Sequence, residues 1–479
     1  MRKKMILLGG VLCAMNTISF GADQHTTAAA QPQKATSAIT KSTVRHHARS
    51  MKTSSKPVAK AASSFPMDFD VPGKSLVSTG PYLGIPLQFS GSNLIINSPS
   101  INLDLSLLST RKTISERQAE LGRPADTDGA HVLLSGMIQG QASATRNNGG
   151  SSNVTLTDST LDAYILGPSH WTSGLIELSY DNNNSVTSNN PTKNSRVFIN
   201  KGFIVIGDLL QSPVYASIGQ MYVPFGVYST TLVSSPMTKT LGRTQARAIA
   251  VGYHPQETNA LYATTYAFNG GTYTTSSQNK VDNGGLNAGY HFQVGSLHAN
   301  LGGGVIANIA DSQSMQSTGN SSPQFGGFGA ITSSEQLQHR VAGYNTHVSL
   351  AVGDSWDFIA EYVQAARRFD PTDLTIDTQG AKPSAFNIEG VYTIPYFEKP
   401  TSVTLAYGQS HSALALGLPA QRYSFVVNHS YWKSTMESIE LRRDYNYANN
   451  ATSSGSSVAG PGGIGGSFDA ITLQFAYFF

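Results

Sequence analysis

The chain has 479 residues, of which only 13% are charged, and its formal net charge is +3. The charged fraction lies well below the roughly 25% that is typical of soluble domains, and the net charge is too small to indicate a nucleic-acid partner. Its one cysteine, Cys13, lies in an apolar N-terminal stretch. The remaining chain therefore has no disulfide and no thiolate metal site.

Residues 1–22 have the layout of a secretory signal peptide. Basic residues at positions 2–4 precede an apolar run that ends at Ile18, and Ser19 and Gly21 provide small residues at the cleavage site. The alternative is an N-terminal membrane anchor, but the apolar run is shorter than the span of about 20 residues that a helix needs. We therefore expect an exported protein.

Residues 23–64 form a basic stretch with almost no large apolar residues. The stretch contains seven lysines and arginines and one acid, Asp23. Such a composition cannot bury enough apolar surface to fold, so we expect a disordered linker. The linker is either a solvated spacer or an electrostatic attachment to anionic envelope polymers and lipid headgroups.

Residues 65–128 contain more large apolar residues than the preceding stretch and predict an N-terminal periplasmic segment. Apolar residues recur near heptad spacing at Leu103, Leu107, Ile114 and Leu121, with charges on the other faces. This pattern predicts a short helix, ended by Gly122. Two placements are open: the helix pairs with a second copy as a coiled coil, or it packs on the domain that follows.

Residues 129–479 alternate with a period of two. Segments such as LIELSY and GLNAGYHFQV place apolar residues on one side and polar residues on the other, and polar loops separate them. About sixteen such segments predict an all-β fold, a transmembrane antiparallel β-barrel wide enough for an aqueous channel. A secreted β-sandwich or β-helix is the competing fold, but a sandwich does not explain the aromatic C-terminus.

The chain ends on the strand FDAITLQFAYFF. Phe475, Tyr477 and Phe479 share its apolar side, while Gln474 lies on the other. We expect the apolar side to face the lipid and lipopolysaccharide of a bacterial outer membrane. An aromatic final residue resembles the signal that the outer-membrane assembly machinery reads.

The segment 227–247 does not alternate and is long for a loop without a function. It contains Lys239, Arg243 and Arg247 and no acid. Rings of cations favour anions in pores, and guanidinium groups bind carboxylates through two hydrogen bonds. We predict a constriction loop that attracts an anionic solute. Alternatively, these cations meet lipopolysaccharide phosphates, or inward acids such as Glu177 and Glu361.

Four other arginines are candidates of lower rank for the same role: Arg367, Arg368, Arg442 and Arg443. Catalysis is not expected, because serines and histidines are scattered with no nucleophile elbow. We expect no enzyme, no cofactor and no metal site.

Two stretches resemble known families. The run GQMYVPFG, with Gly219, Pro224, Phe225 and Gly226, resembles a strand-end motif of phosphate-selective porins. The longer run through Pro255, together with STGPYLGIPLQFSGSNLIINSPSINLDLSLLSTRK, is similar to the LbtU-type siderophore-porin family, typified by the receptor for legiobactin. The resemblance covers roughly residues 78–479.

The resemblance implies a porin-like outer-membrane channel or receptor that takes up a ferric siderophore of the polycarboxylate type without a plug domain. A general or anion-selective diffusion porin is the first alternative, and a structural or adhesive outer-membrane protein is the second. Homo-oligomerisation stays open.

Overall fold

A computed structural model describes residues 77–79, 102–120, 130–146, 150–181, 196–272, 274, 280–317, 328, 337–394, 401–432, 434–454 and 463–479. The predicted signal peptide and basic linker lie outside these described residues. So does most of the segment that precedes the predicted helix.

The described chain is mostly β-strand. Two elements precede the barrel, β1 (Val77–Thr79) and helix α1 (Leu103–Glu120). The barrel strands are β2 (His131–Arg146), β3 (Ser151–Leu166), β4 (Thr172–Asp181), β5 (Arg196–Ile206), β6 (Val214–Tyr222), β7 (Gln245–Tyr253), β8 (Ala260–Asn269), β9 (Val281–Val294), β10 (Leu297–Ile306), β11 (Gly343–Val352), β12 (Trp356–Ala365), β15 (Ser384–Thr393), β16 (Thr401–His411), β17 (Gln421–His429), β18 (Thr435–Tyr445) and β19 (Ser467–Phe478). The connections contain α2 (Met237–Gly242), α3 (Gln313–Ser317), the small hairpin β13 (Thr375–Ile376) and β14 (Gln379–Gly380), and two 3-10 turns (Ile309–Asp311 and Leu414–Leu416).

The strands β2–β12 and β15–β19 close into one antiparallel barrel. Each pairs with its neighbour in the chain, and the last strand β19 returns to pair with β2, from Asp469 opposite Arg146 to Phe478 opposite Met137. The described residues thus form a closed barrel of 16 strands, which confirms the predicted fold class. The short strand β1 pairs in parallel with β2, with Val77 opposite Val132.

Side chains alternate between the two faces of the barrel wall as the period of two predicts. On β19, Leu473, Phe475 and Tyr477 point outward and are 44–48% exposed, whereas Gln474 points inward and is 4% exposed. An apolar outer face and a polar inner face are the arrangement that a lipid bilayer and a wet lumen require. The barrel is therefore of the outer-membrane type.

The two ends of the barrel differ. At one end the turns are short, such as residues 295–296, and at the other the loops are long, such as residues 307–342. All three tryptophans lie at the short-turn end and are exposed: Trp171, Trp356 and Trp432. In outer-membrane barrels, short turns face the periplasm and aromatic residues mark the membrane interfaces.

Helix α1 lies inside the short-turn end of the barrel. Leu105, Leu107 and Leu108 are buried in one cluster with inward side chains of the wall, among them Tyr164 and Phe203. Of the two placements that the sequence left open, the structure shows the helix packed on the barrel. Within the described residues, no helix has the length and apolar character that would let it cross a membrane.

Candidate functional site

The motif Pro224-Phe225-Gly226 turns the chain from the barrel wall into the lumen. The β6–β7 ladder ends where the Val223 amide donates to the Thr244 carbonyl at 3.0 Å. Gly226 then has φ of +86°, and a Cβ at this position would lie 2.4 Å from the Tyr228 ring. Only glycine fits this turn. Residues 223–244, which we call the lumen loop, therefore enter the barrel.

The lumen loop is held against the opposite wall by three glutamates that project inward from β12, β15 and β18. On β12, Glu361 accepts hydrogen bonds from the backbone amides of Val227 (2.9 Å) and Tyr228 (3.0 Å) and from the Thr238 hydroxyl (3.1 Å). One carboxylate thereby fixes both the start of the loop and helix α2.

The other two glutamates hold the middle of the lumen loop. Glu389 accepts from the Thr230 hydroxyl (2.5 Å) and from the Thr231 amide and hydroxyl (2.9 and 3.1 Å). Glu440 accepts from the amide and hydroxyl of Ser234, both at 2.6 Å. These contacts place the three acids behind the loop, where loop donors occupy their oxygens.

The lumen loop also has an apolar side that anchors it. Phe225, Met237 and Leu241 are fully buried and belong to the same hydrophobic cluster as the inward wall residues. Charge-assisted hydrogen bonds to buried carboxylates are among the stronger polar contacts in proteins. The lumen loop is therefore anchored inside the barrel by both polar and apolar contacts.

Two of the predicted cations lie together on the lumen loop. Lys239 is on α2, and Arg243 follows α2 directly. The Arg243 guanidinium lies 4.6 Å from the centre of the Tyr222 ring, and its Nε donates to Gln313 at 2.9 Å. Lys201, on β5, lies 5.6 Å from the same ring. Arg243 and Lys201 thus flank Tyr222, and Lys239 interacts electrostatically with both of them.

Burial and the neighbouring Arg243 lower the pKa of Lys239 to about 7. Lys201 acts in the same direction, and Asp158, on β3, opposes them. Lys201 itself forms a buried ion pair with Glu177. Lys239 and Arg243, in contrast, form no ion pair with any of the described residues.

The third predicted cation lies elsewhere. Arg247 is on β7, in the outward register with Ile249 and Val251, and its side chain is exposed on the outer surface of the barrel. Equal spacing of four residues does not bring it together with Lys239 and Arg243, because the chain changes from helix to strand at Thr244.

The lower-ranked arginines are scattered. In the loop between β12 and β15, Arg367 donates to the Arg340 carbonyl (2.6 Å) and Arg368 to the Gly380 carbonyl (2.8 Å). Of the β18 pair, Arg442 faces inward beside Asp444 at 3.4 Å. Arg443 faces outward and forms a two-bond ion pair with Asp469, at 2.6 and 2.8 Å. All four have partners in the protein.

Sequence reasoning missed Glu389, Glu440, Lys201 and Tyr222 as parts of the site. The two acids gave a weak signal, since Glu389 and Glu440 are acids at inward positions of their strands, two residues from the inward Asn387 and Ser438. A lone buried acid needs hydrogen-bond donors. Nothing in the local sequence indicates which segment provides those donors.

Helix α1 is bonded to the barrel wall at the short-turn end. Arg111 donates to the carbonyls of Thr172, Gly167 (3.0 Å) and Ser169 (2.7 Å), all in or beside the β3–β4 turn. The Tyr164 hydroxyl donates to the Leu107 carbonyl at 2.7 Å.

Between α1 and the inward faces of β9–β11 lies a cavity of about 290 Å³, and polar residues such as His254, His291 and Asn300 contribute to its lining.

Similar folds occur among solved outer-membrane proteins. The outer membrane channel DcaP of Acinetobacter baumannii is 14% identical with a TM-score of 0.48, covering 73% of this chain and 98% of that one. The anion-selective porin from Comamonas acidovorans is 10% identical with a TM-score of 0.46, covering 73% of this chain and all of that one. The identification of the fold rests on the strand pairing itself and not on these likenesses.

Sequence relatives are closer. A UPF0422 protein of Coxiella burnetii (strain RSA 493 / Nine Mile phase I) is 38% identical over 411 residues, covering 85% of this chain and 84% of the relative. A UPF0422 protein of Legionella pneumophila strain Paris is 36% identical over 423 residues, covering 85% and 77%. No protein-family model matches the sequence. On the relatives' identity and coverage, this chain belongs to the UPF0422 protein family.

Proposed function

We propose that the protein is an outer-membrane channel that admits a small anionic solute, and that this solute is a ferric siderophore with several carboxylates. The observation that carries the proposal is the lumen loop, which the three glutamates hold across the barrel. The loop carries Lys239 and Arg243, and Arg243 lies over the Tyr222 ring. The resemblance to siderophore porins supports the choice of solute.

The electrostatics of the constriction support an anion. Glu361, Glu389 and Glu440 are buried and bonded to the loop. A solute in front of the loop therefore meets Lys239 and Arg243 before it meets these acids. Charges in a narrow, low-dielectric passage are screened by salt much less than exposed charges, so even two cations bias the passage.

The geometry of Arg243 supports a carboxylate. Its Nε is bonded to Gln313, and its Cζ lies over the Tyr222 ring, 4.6 Å from the ring centre. Among the described residues, neither of its Nη atoms makes a hydrogen bond in the structure. A stacked guanidinium with free N–H groups is pre-oriented for a planar carboxylate.

A general diffusion porin is the second candidate, and Asp158 favours it. The negative charge of Asp158 raises the pKa of Lys239, whereas the positive charges of Arg243 and Lys201 lower it. The passage therefore carries charges of both signs. A constriction of mixed charge passes small solutes of either sign with modest preference.

Reversal potentials across planar bilayers under a salt gradient test the anion preference. We expect Lys239→Ser with Arg243→Ser to lower the anion-to-cation permeability ratio. Arg247→Ser is the matched control, because it removes a cation from the same segment but from the outer surface. If the double variant keeps the wild-type ratio, or if the control lowers it equally, the constriction is not an anion filter.

Growth on a ferric siderophore separates the two candidates. A strain that lacks the gene should fail to grow with a polycarboxylate siderophore as the sole iron source, and the wild-type gene should restore growth. Normal growth of the deletion strain, combined with an anion-selective conductance, would favour the diffusion porin.

A further inference from the structure

The barrel wall is interrupted between β5 and β6. Their backbone pairing runs only from Ile206 opposite Ala216 to Gly202 opposite Gln220, whereas β6 pairs with β7 along its whole length. Above Gly202, the Gln220 side chain donates to the Asn200 carbonyl (2.9 Å), in place of a backbone donor.

Glycines mark the point where β5 and β6 separate. Gly219 has φ of +143°, and a Cβ there would lie 2.3 Å from the Gly202 carbonyl oxygen. Gly202 is in the outward register of β5 with Ile204 and carries no side chain, so the outer surface is indented at this height, next to Gly219. The indentation is a groove of about 660 Å³, bordered by the apolar side chains of Ile176, Ile199, Ile218, Ile249 and Val281. We call it the β5–β7 groove.

A single cation borders the β5–β7 groove, and it is Arg247. Its guanidinium forms no ion pair with an acid among the described residues. A charged side chain on the lipid-facing surface is unfavourable unless an opposite charge or water reaches it. The Arg247 guanidinium must therefore meet water or an opposite charge from outside the described residues.

The height of Arg247 indicates which part of the membrane provides that partner. Arg247 lies six residues from Tyr253, the outward aromatic at the short-turn end of β7. With a rise of about 3.4 Å per residue and a tilt of about 40°, its Cα lies about 16 Å above Tyr253 in an apolar band about 25 Å tall. An arginine side chain is long enough to reach from there toward the outer headgroups.

We infer that the β5–β7 groove binds one lipopolysaccharide molecule of the outer leaflet, with an acyl chain along the isoleucines and a phosphate on Arg247. Branched apolar side chains accept an acyl chain by area burial. Guanidinium binds phosphate through charge-assisted hydrogen bonds that strengthen where water is scarce.

Arg443 provides an internal comparison. It is also exposed on the outer face, but Asp469 binds both Nε and one Nη atom, at 2.6 and 2.8 Å. Its charge is neutralised within the protein. A site that depends on an unpaired cation should therefore lose lipid with Arg247→Gln and keep it with Arg443→Gln.

Native mass spectrometry and detergent titration of the purified full-length barrel test this inference. The probes are rough lipopolysaccharide, the same lipid after enzymatic removal of its phosphates, phosphatidylglycerol and inorganic phosphate. We expect wild type and Arg443→Gln to bind one lipopolysaccharide with equal Kd, and Arg247→Gln to bind about tenfold more weakly. Arg247→Lys should restore most of the affinity.

The measurement with dephosphorylated lipopolysaccharide uses wild-type protein, so it tests the inference even if a variant folds poorly. Wild type should bind the dephosphorylated lipid about as weakly as Arg247→Gln binds the intact one. Equal Kd values for wild type and Arg247→Gln, or for intact and dephosphorylated lipid, would overturn the assignment. Equal binding of phosphatidylglycerol, or displacement of lipid by inorganic phosphate at similar concentration, would show an unspecific anion site instead.

Discussion

Removing the carboxylate of Glu389 should detach the middle of the lumen loop without unfolding the barrel. Glu389 is fully buried and accepts three hydrogen bonds from the loop, at 2.5, 2.9 and 3.1 Å. Hydrogen bonds to a charged group contribute about 1.5–3 kcal/mol each, but bonds that share one carboxylate are not additive. We expect Glu389→Ala to weaken this anchor by about 3–5 kcal/mol.

The loss changes how often the loop is detached. Each 1.4 kcal/mol is about tenfold in an equilibrium, so 3 kcal/mol raises the detached population by about 100-fold or more. Glu361 and Glu440 still hold the two sides of the detached stretch. The channel should therefore show frequent brief openings to a larger conductance rather than a permanently wider pore.

Single-channel recording measures this directly, with Glu437→Ala as the matched control. Glu437 is on the same barrel wall but accepts from the Tyr431 amide (2.9 Å) at the short-turn end, away from the lumen loop. Both variants should assemble as heat-modifiable barrels. If Glu389→Ala shows the conductance and noise of the control, the reasoning about the anchor is refuted.

Four further outcomes follow from the same structure. Leu473→Arg should destabilise the barrel by about 2–4 kcal/mol because it places a charge near the lipid midplane, whereas Gln474→Arg faces the lumen and should cost less in denaturant titrations; the reverse order would mean that the register is shifted. Phe479→Ala should reduce the heat-modifiable fraction in cells more than Leu473→Ala does, and equal fractions would argue against a terminal assembly signal. Arg111→Ala should raise single-channel conductance by loosening α1, while Arg111→Lys should have a smaller effect; unchanged currents in both would mean that α1 does not limit the route. Since Lys239 has a pKa of about 7, its cation is present below that pH and lost above it, so anion preference should fall between pH 6 and pH 8 in wild type and not in Lys239→Arg; an equal fall in both would assign the titration to another group.

The sequence by itself determined the barrel. A bilayer on one side and water on the other impose opposite polarities on adjacent residues of a strand, so each segment of about ten residues carries its own signal. The facing of Leu473 and Gln474 and the number of strands could be predicted for that reason. The existence of the lumen loop could also be predicted, because its length and its entry at Pro224-Phe225-Gly226 are local features.

What the loop contacts was decided by the tertiary structure. The loop residues Thr231 and Ser234 meet Glu389 and Glu440, which are 158 and 206 positions later in the chain. No local pattern encodes such a meeting, because it exists only once the sheet closes and brings the far wall across the lumen.

The positions of the three predicted cations also could not be derived from the sequence alone. Spacing of four residues suits one face of a helix and one face of a strand equally well, so Lys239, Arg243 and Arg247 seemed equivalent in the sequence. The chain ends α2 and starts β7 between the last two. That change of conformation, fixed by closure of the β6–β7 ladder at Val223 and Thr244, leaves two cations in the lumen and turns the third toward the lipid.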